Sequence, residues 1–245
     1  MIDRLSPTVR PAGPPKGHQR WRELLFLHWP IPVESVQALL PPGLSVDTWE
    51  GLAWVGVVPF TMQGVRPRGL PVVPGLSDFH ELNVRTYVHA GGRDPGVWFF
   101  SLDAARSIPV RLARRLWHLP YHRAEMSLLR RGTEIAYASE RRWPAPVPAH
   151  FRARWRVGPA LGPAAPGSFE HFLVERYLLY ARSPAGLRMG QVHHTPYPLH
   201  GAALLDLDHH LLEPAGLPAV RGAPHVLASP GVDVEVFALR AARAR

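Results

Sequence analysis

Short runs in which apolar and polar residues strictly alternate, each cut off by proline or glycine, constrain this chain more than any other feature. In 79–88, Leu82, Val84, Thr86 and Val88 alternate with Glu81, Asn83, Arg85 and Tyr87, the period of two that gives a β-strand two distinct faces. In 151–157, Phe151, Ala153, Trp155 and Val157 alternate with Arg152, Arg154 and Arg156. The 28 prolines and 21 glycines divide the remaining apolar stretches into strand-sized pieces, because proline lacks the amide donor that a helix interior needs and glycine favours turns. The predicted fold class is mostly β or α+β: a single antiparallel β-barrel-like or cone-shaped domain with two or three short helices.

Residues 1–19 are proline-rich and lack an apolar period, so a flexible tail is expected ahead of one β-rich domain over 20–245. The aromatic run 21–28 reads as a buried strand. A short helix is expected from Pro32, with Val33, Val36, Leu39 and Leu40 at helical spacing and a stop at Pro41-Pro42-Gly43. Residues 45–49 and 52–60 read as a hairpin turning at Glu50-Gly51, and 124–130 with 135–142 as another around Gly132. Further strands are expected at 97–102, 169–181, 187–194, 202–207 and 232–239, and a second helix at 108–117. Arg152, Arg154 and Arg156 are expected to face solvent, balanced by Asp233 and Glu235 on a neighbouring strand.

Composition removes several classes of function. The chain has no cysteine, which excludes disulfides, thiolate metal sites and a cysteine nucleophile. The formal net charge is +9, but the 28 basic residues, all arginine except Lys16, are scattered in a manner that fits GC-rich codon usage. The densest group, Arg111, Arg114, Arg115 and Arg123, is interrupted by Trp117 and Leu119 and has no nucleic-acid-binding motif around it, so no nucleic-acid partner is expected. The N-terminal stretch lacks the apolar segment of a secretory signal, and no run reaches the roughly 18 apolar residues of a membrane helix. A cytoplasmic protein without a membrane partner is expected. Ser101 and Ser107 lie outside any G-x-S-x-G pattern, and no phosphate-binding glycine motif follows a strand. His193, His194 and His200 cluster, but neighbours on a strand face opposite ways and no H-E-x-x-H motif is present, so no metal or cofactor is expected.

The stretches HWPIPVESVQALLPPGL, GLAWVGVVPFTM, FHELNVRTYV, PGVWFFSLDA, HLPYHRAEM, FLVERYLLYA and VHHTPYPLHGA together resemble the YqjF-like family of uncharacterised proteins. More distantly, the order of an early strand, a short helix ending in Pro-Pro-Gly-Leu, a glutamate-bearing strand and a proline turn is similar to the acetoacetate-decarboxylase-like fold. That resemblance implies a β-barrel-like cone with an enclosed pocket, matches Glu81 to a pocket glutamate, and places Tyr121 and His122 at the pocket wall. Acetoacetate decarboxylases carry a lysine pair after the proline of that turn, and one lysine forms a Schiff base. Here the turn reads Leu119-Pro120-Tyr121-His122, and Lys16 lies in the tail, so the resemblance implies the fold without the imine chemistry.

Glu81, Tyr121 and His122 are therefore the candidate catalytic residues. A buried carboxyl becomes a weaker acid, a tyrosine hydroxyl hydrogen-bonds a carbonyl, and histidine titrates near neutrality. Each has a structural alternative: Glu81 paired with Arg85, Tyr121 capping a turn, His122 at the surface. Arg85, Glu175, His193 and His194 are the candidate ligand-binding residues. Arg85 would hold a carboxylate, and Glu175, sharing a strand face with Tyr177, would meet either a ligand or a core ion-pair partner. Only one of His193 and His194 can face a pocket. The expected partner is a small, oxygen-rich, anionic organic molecule, handled by lyase-like or isomerase-like acid–base catalysis. The alternative is a non-catalytic module for a metabolite or lipid-like ligand. A homo-oligomer is compatible with the sequence.

Overall fold

The computed structural model describes residues 2–106, 117–144 and 148–242. Within them lie β1 Gly17–Ile31, α1 Val33–Gln37, β2 Ser45–Val46, β3 Ala53–Pro67, β4 Phe79–Ala90, β5 Arg93–Ala104, β6 Tyr121–Arg131, β7 Glu134–Trp143, β8 His150–Gly162, α2 Phe169–Val174, β9 Leu178–Ser183, β10 Gly186–His193, β11 Leu199–His210, β12 His225–Val236 and β13 Arg240–Ala241. The strands form one sheet in the order β13-β10-β9-β5-β6-β7-β8-β11-β12-β1-β3-β4-β2.

That sheet closes on itself twice. Pairing of β4 with β5 closes a ring through β6, β7, β8, β11, β12, β1 and β3, and pairing of β10 with β12 at Val192↔Val236 and His193↔Glu235 closes a second ring through β9. The forks are β5 and β12. Along β5, Val97 and Trp98 pair with β9, while Leu102, Asp103 and Ala104 pair with β6, both in parallel. The architecture is mostly β and cone-like, with a wall of β12, β1, β3, β4 and β5 common to both rings.

A wall between two interiors is buried on both faces, and its alternation sorts residues into two cores. Leu24, Phe26, Val58, Phe60 and Met62 pack with Phe172 and Leu173 of α2 on one side. Leu25, Leu27, Val55, Val57, Leu82 and Val84 pack with Tyr137, Phe151 and Trp155 on the other. Each such fully buried side chain contributes about 1.5–3 kcal/mol relative to exposure. The polar set of β4 is enclosed as well: Glu81, Asn83 and Arg85 are all buried.

Several elements differ from expectation. Segment 169–181 is a helix followed by a strand: the Ser168 side chain accepts from the His171 amide at 3.1 Å and caps α2, which ends at Glu175. The hairpin at Glu50-Gly51 is reduced to one bridge, Trp49↔Leu52, because β2 pairs instead with β4. The helix expected over 108–117 lies outside the described residues apart from Trp117. Where a free tail was expected, residues 2–16 lie against the body: Arg4 bonds Asp47, Arg10 bonds Glu235, and the Gln191 amide donates to the carbonyls of Pro7 and Val9. Arg152, Arg154 and Arg156 are exposed, but β8 lies between β7 and β11, so Glu134 meets Arg156 and Asp208 meets Arg152. Asp233 and Glu235, on β12, pair with Arg22 and Arg10. Among the described residues no helix is long and apolar enough to cross a membrane.

Candidate functional site

The ring that contains β9 and β10 encloses a cavity of about 420 Å³, a volume in the range of small-molecule sites. Strand alternation aims Glu81, Asn83 and Arg85 of β4 into it. Register orders them along its axis: Glu81 is opposite Phe60, Asn83 opposite Val58 and Arg85 opposite Gly56. The far end, where Gly17 pairs with Pro67, opens beside Lys16, His18 and Arg66. Gly56 makes room for the deep end, since a Cβ there would stand 3.0 Å from the His28 ring and 3.4 Å from Arg85 Cγ.

Tyr121 begins β6 in register with Leu102 of β5, and both side chains line the cavity. Its hydroxyl donates to Glu81 Oε2 at 2.9 Å. Glu81 is 2% exposed, and burial pushes its carboxyl up to about 8, against the pull of the Tyr121 hydrogen bond and with a further push from Asp103. Burial, then the adjacent Glu81, holds the Tyr121 phenol well above its ordinary value. At neutral pH the pair therefore retains both protons. From the other face of the wall, the Tyr137 hydroxyl donates to the Glu81 carbonyl at 2.9 Å and fixes the β4 backbone under the carboxyl.

Two guanidinium groups complete the polar lining. Arg85, 8% exposed, donates Nη2 to the Leu173 carbonyl at 3.1 Å, and its Nε has no hydrogen-bond partner. Arg176, 7% exposed, donates Nε to the Phe172 carbonyl and Nη1 to Asp47 Oδ2, each at 2.8 Å, and leaves Nη2 without a partner. Asn83 Oδ1 is also without one. Buried polar atoms are nearly always hydrogen-bonded, so these three residues leave unused hydrogen-bonding capacity in the cavity lining.

The structure thus brings Glu81, Tyr121 and Arg85 together and leaves the other candidates outside the lining. His122 is in register with Asp103 and follows Tyr121 on the strand, so it falls on the opposite face, the side of the buried Asp103–Arg141 ion pair. Glu175 ends α2 instead of lying in a strand, and accepts from the Tyr177 hydroxyl at 2.7 Å and the Tyr197 amide at 2.9 Å, holding two lining tyrosines in place. His194 stacks on Tyr177 with centroids 4.5 Å apart, and burial lowers its pKa to about 4, so it is a neutral support behind the lining. His193 is opposite Glu235, away from the cavity. Lys16, expected in a remote tail, stands at the rim with its backbone amide bonded to the Val236 carbonyl at 2.7 Å.

Sequence reasoning missed Asn83 and Arg176. Asn83 shares the alternating face of Glu81, so the period alone marks it. Arg176 carries no such signal, because the strand reading of its segment turned it the wrong way. Among the described residues no group of three or more His, Cys, Asp or Glu is placed to hold a metal ion.

A family model, DUF2071, described as an uncharacterized conserved protein, matches residues 18–233. The uncharacterized protein YqjF of Bacillus subtilis (strain 168) is 41% identical over 184 residues, 75% of each chain. Among solved structures, an acetoacetate decarboxylase-like enzyme from Sphingomonas wittichii RW1 superposes with a TM-score of 0.63 at 14% identity, covering 97% of this chain and 98% of that one. The enduracididine biosynthesis enzyme MppR complexed with pyruvate gives 0.62 at 14% identity, over 93% and 90%. Acetoacetate decarboxylase from Legionella pneumophila gives 0.58 at 18% identity, over 94% and 89%. At these identities the likeness is one of fold.

Proposed function

We propose that this chain, which belongs to the DUF2071 family of uncharacterized conserved proteins, binds a small organic anion in its cavity and exchanges a proton with it through Glu81 and Tyr121. The observation that carries the reading is one cavity lined by a buried carboxyl hydrogen-bonded to Tyr121, with its pKa pushed up to about 8, and by an incompletely bonded arginine. The guanidinium of Arg85 draws the ligand's negative charge, since a partly desolvated cation bonds a carboxylate strongly. Glu81 then donates its proton to a ligand oxygen as charge develops there, with the Tyr121 hydroxyl beside it. In the reverse sense the carboxylate accepts a proton from carbon.

Proton transfer of this kind serves lyase-like or isomerase-like reactions. The fold neighbours that are enzymes support it, one of them recorded with pyruvate, itself a small organic anion. Imine formation is assigned no step: Lys16, the chain's one lysine, is exposed at the rim, and the position beside Glu81 is taken by Tyr121. His122, off the lining, is left out of the catalytic set.

Walls such as Trp21, Leu24, Val58 and Phe99 are apolar, and they favour a second reading in which the ligand is held without chemistry. Incubation with small keto and hydroxy acids in D2O, followed by NMR, separates the two. The expected result is exchange of hydrogen at a ligand carbon next to a carbonyl, abolished in Glu81→Gln while binding persists. Binding without exchange in the wild type would establish the second reading, and the absence of binding would defeat both.

A further inference from the structure

We infer that the ligand is an amphipathic monocarboxylic acid whose carboxylate sits at Arg85 and whose second oxygen group, remote from that carboxylate, meets Glu81 and Tyr121. The inference rests on the anion-binding reading above and narrows it to a chemical class. Its first support is length. Glu81 and Arg85 are four residues apart on one strand face, about 13 Å between Cα atoms at strand rise, with Asn83 between them. The arginine and glutamate side chains take up part of that distance, and a ligand held at both spans the remainder past Asn83. A molecule that engages both ends has an extended body.

The second support is the character of that body. Apart from Asn83, the lining between the two ends is largely hydrocarbon, with Val58, Phe60, Val97 and Phe99 among its residues, and water-filled contact with such walls is unfavourable compared with an apolar chain or ring. The third is charge. Asp47 bonds Arg176 at 2.8 Å, whereas Arg85 is bonded to a backbone carbonyl and flanked by the rings of Phe26 and Tyr87 at 5.9 and 5.8 Å. One buried cation without a carboxylate at its side matches one ligand charge. Lys16 and Arg66 at the rim raise the local concentration of anions before entry.

Calorimetric titration of the full chain with straight-chain alkanoates from butanoate to dodecanoate, with the matching primary amides, and with oxo-alkanoates differing in oxo position tests this. Affinity is expected to tighten about fourfold per methylene until the cavity is filled, and each amide to bind at least tenfold more weakly than its acid. Arg85→Gln should erase the acid-to-amide difference while keeping the dependence on length. An oxo group well separated from the carboxylate should bind tightest, and Glu81→Gln should level that preference. Affinity independent of length, or a preference for pyruvate or other 2- or 3-oxo acids, would overturn the inference while leaving the anion reading in place. Failure of every carboxylate to bind would overturn both. The wild-type acid and amide comparison decides the matter even where Arg85→Gln does not fold.

Discussion

Glu81 keeps its proton because the fold withdraws its carboxyl from water, and the effect on stability is opposite in sign to that of an ion-paired acid. Its pKa rises from the ordinary 4.5 to about 8 on folding. The contribution is fully present below pH 4.5 and is lost as pH climbs through about 8, an effect of about 5 kcal/mol. Glu81→Gln keeps the shape and removes the titration. In urea unfolding the variant should match the wild type near pH 4 and exceed it by pH 9; a difference independent of pH would show that Glu81 does not titrate in this way. Asp103, raised to about 6 by burial despite Arg141, acts in the same direction in both proteins, and because it also pushes the Glu81 carboxyl up its contribution cancels only in part. Asp47 stands buried in ion pairs with Arg4 and Arg176. Asp47→Asn leaves a buried guanidinium without its counter-charge, at about 3–5 kcal/mol, whereas Arg4→Gln, at a partly exposed side chain, should cost less than about 1 kcal/mol. Equal losses measured by denaturant titration would refute this assignment. The fold resemblance matched Glu81 to a pocket and the period of two put Arg85 on the same face, while Asp47 carried no such signal, since its partners are brought to it by the third dimension alone.

At the scale of elements, close approach of backbones decides which positions tolerate a side chain. Where β12 passes β1, a Cβ on Gly231 would stand 1.9 Å from the Trp21 carbonyl oxygen, and the residue has φ +125°. Gly222 also has positive φ, +80°, but nothing lies within 4 Å of its Cβ position. Gly231→Ala should therefore destabilise by about 3 kcal/mol or more and Gly222→Ala by about 1 kcal/mol. Thermal melts in which the two variants lose the same amount would show that backbone conformation, not crowding, sets the effect. Strands such as β4 and β8 were legible because alternation is a local signal. The helix α2 was not: its run Phe169 to Val174 is only six residues long, too short for a helical period to stand out, and Ser168 as cap was the one cue. The pairing of β2 with β4 instead of β3 depends on residues far along the chain, and no local pattern announces it.

The whole molecule is organised by its shared wall. The sequence pattern pointed to the class, many short strands around one core, but not to two rings, because the forks at β5 and β12 arise from which strand meets which half of a partner. That topology has a thermodynamic consequence. β1, near the start of the chain, pairs along most of its length with both β12, near the end, and β3, and the two cores lie on opposite faces of this wall. Neither ring closes without the wall strands, so neither core can remain packed once they separate. The chain should unfold in one cooperative transition, with calorimetric and van't Hoff enthalpies in agreement. Removing residues 225–242 takes away β12 and opens both rings, and should yield an unfolded chain instead of a folded remnant built on β3 to β8. Two resolved calorimetric transitions, or a truncated chain that retains dispersed amide NMR signals, would show that the rings are independent units and that residues 20–245 are not a single domain.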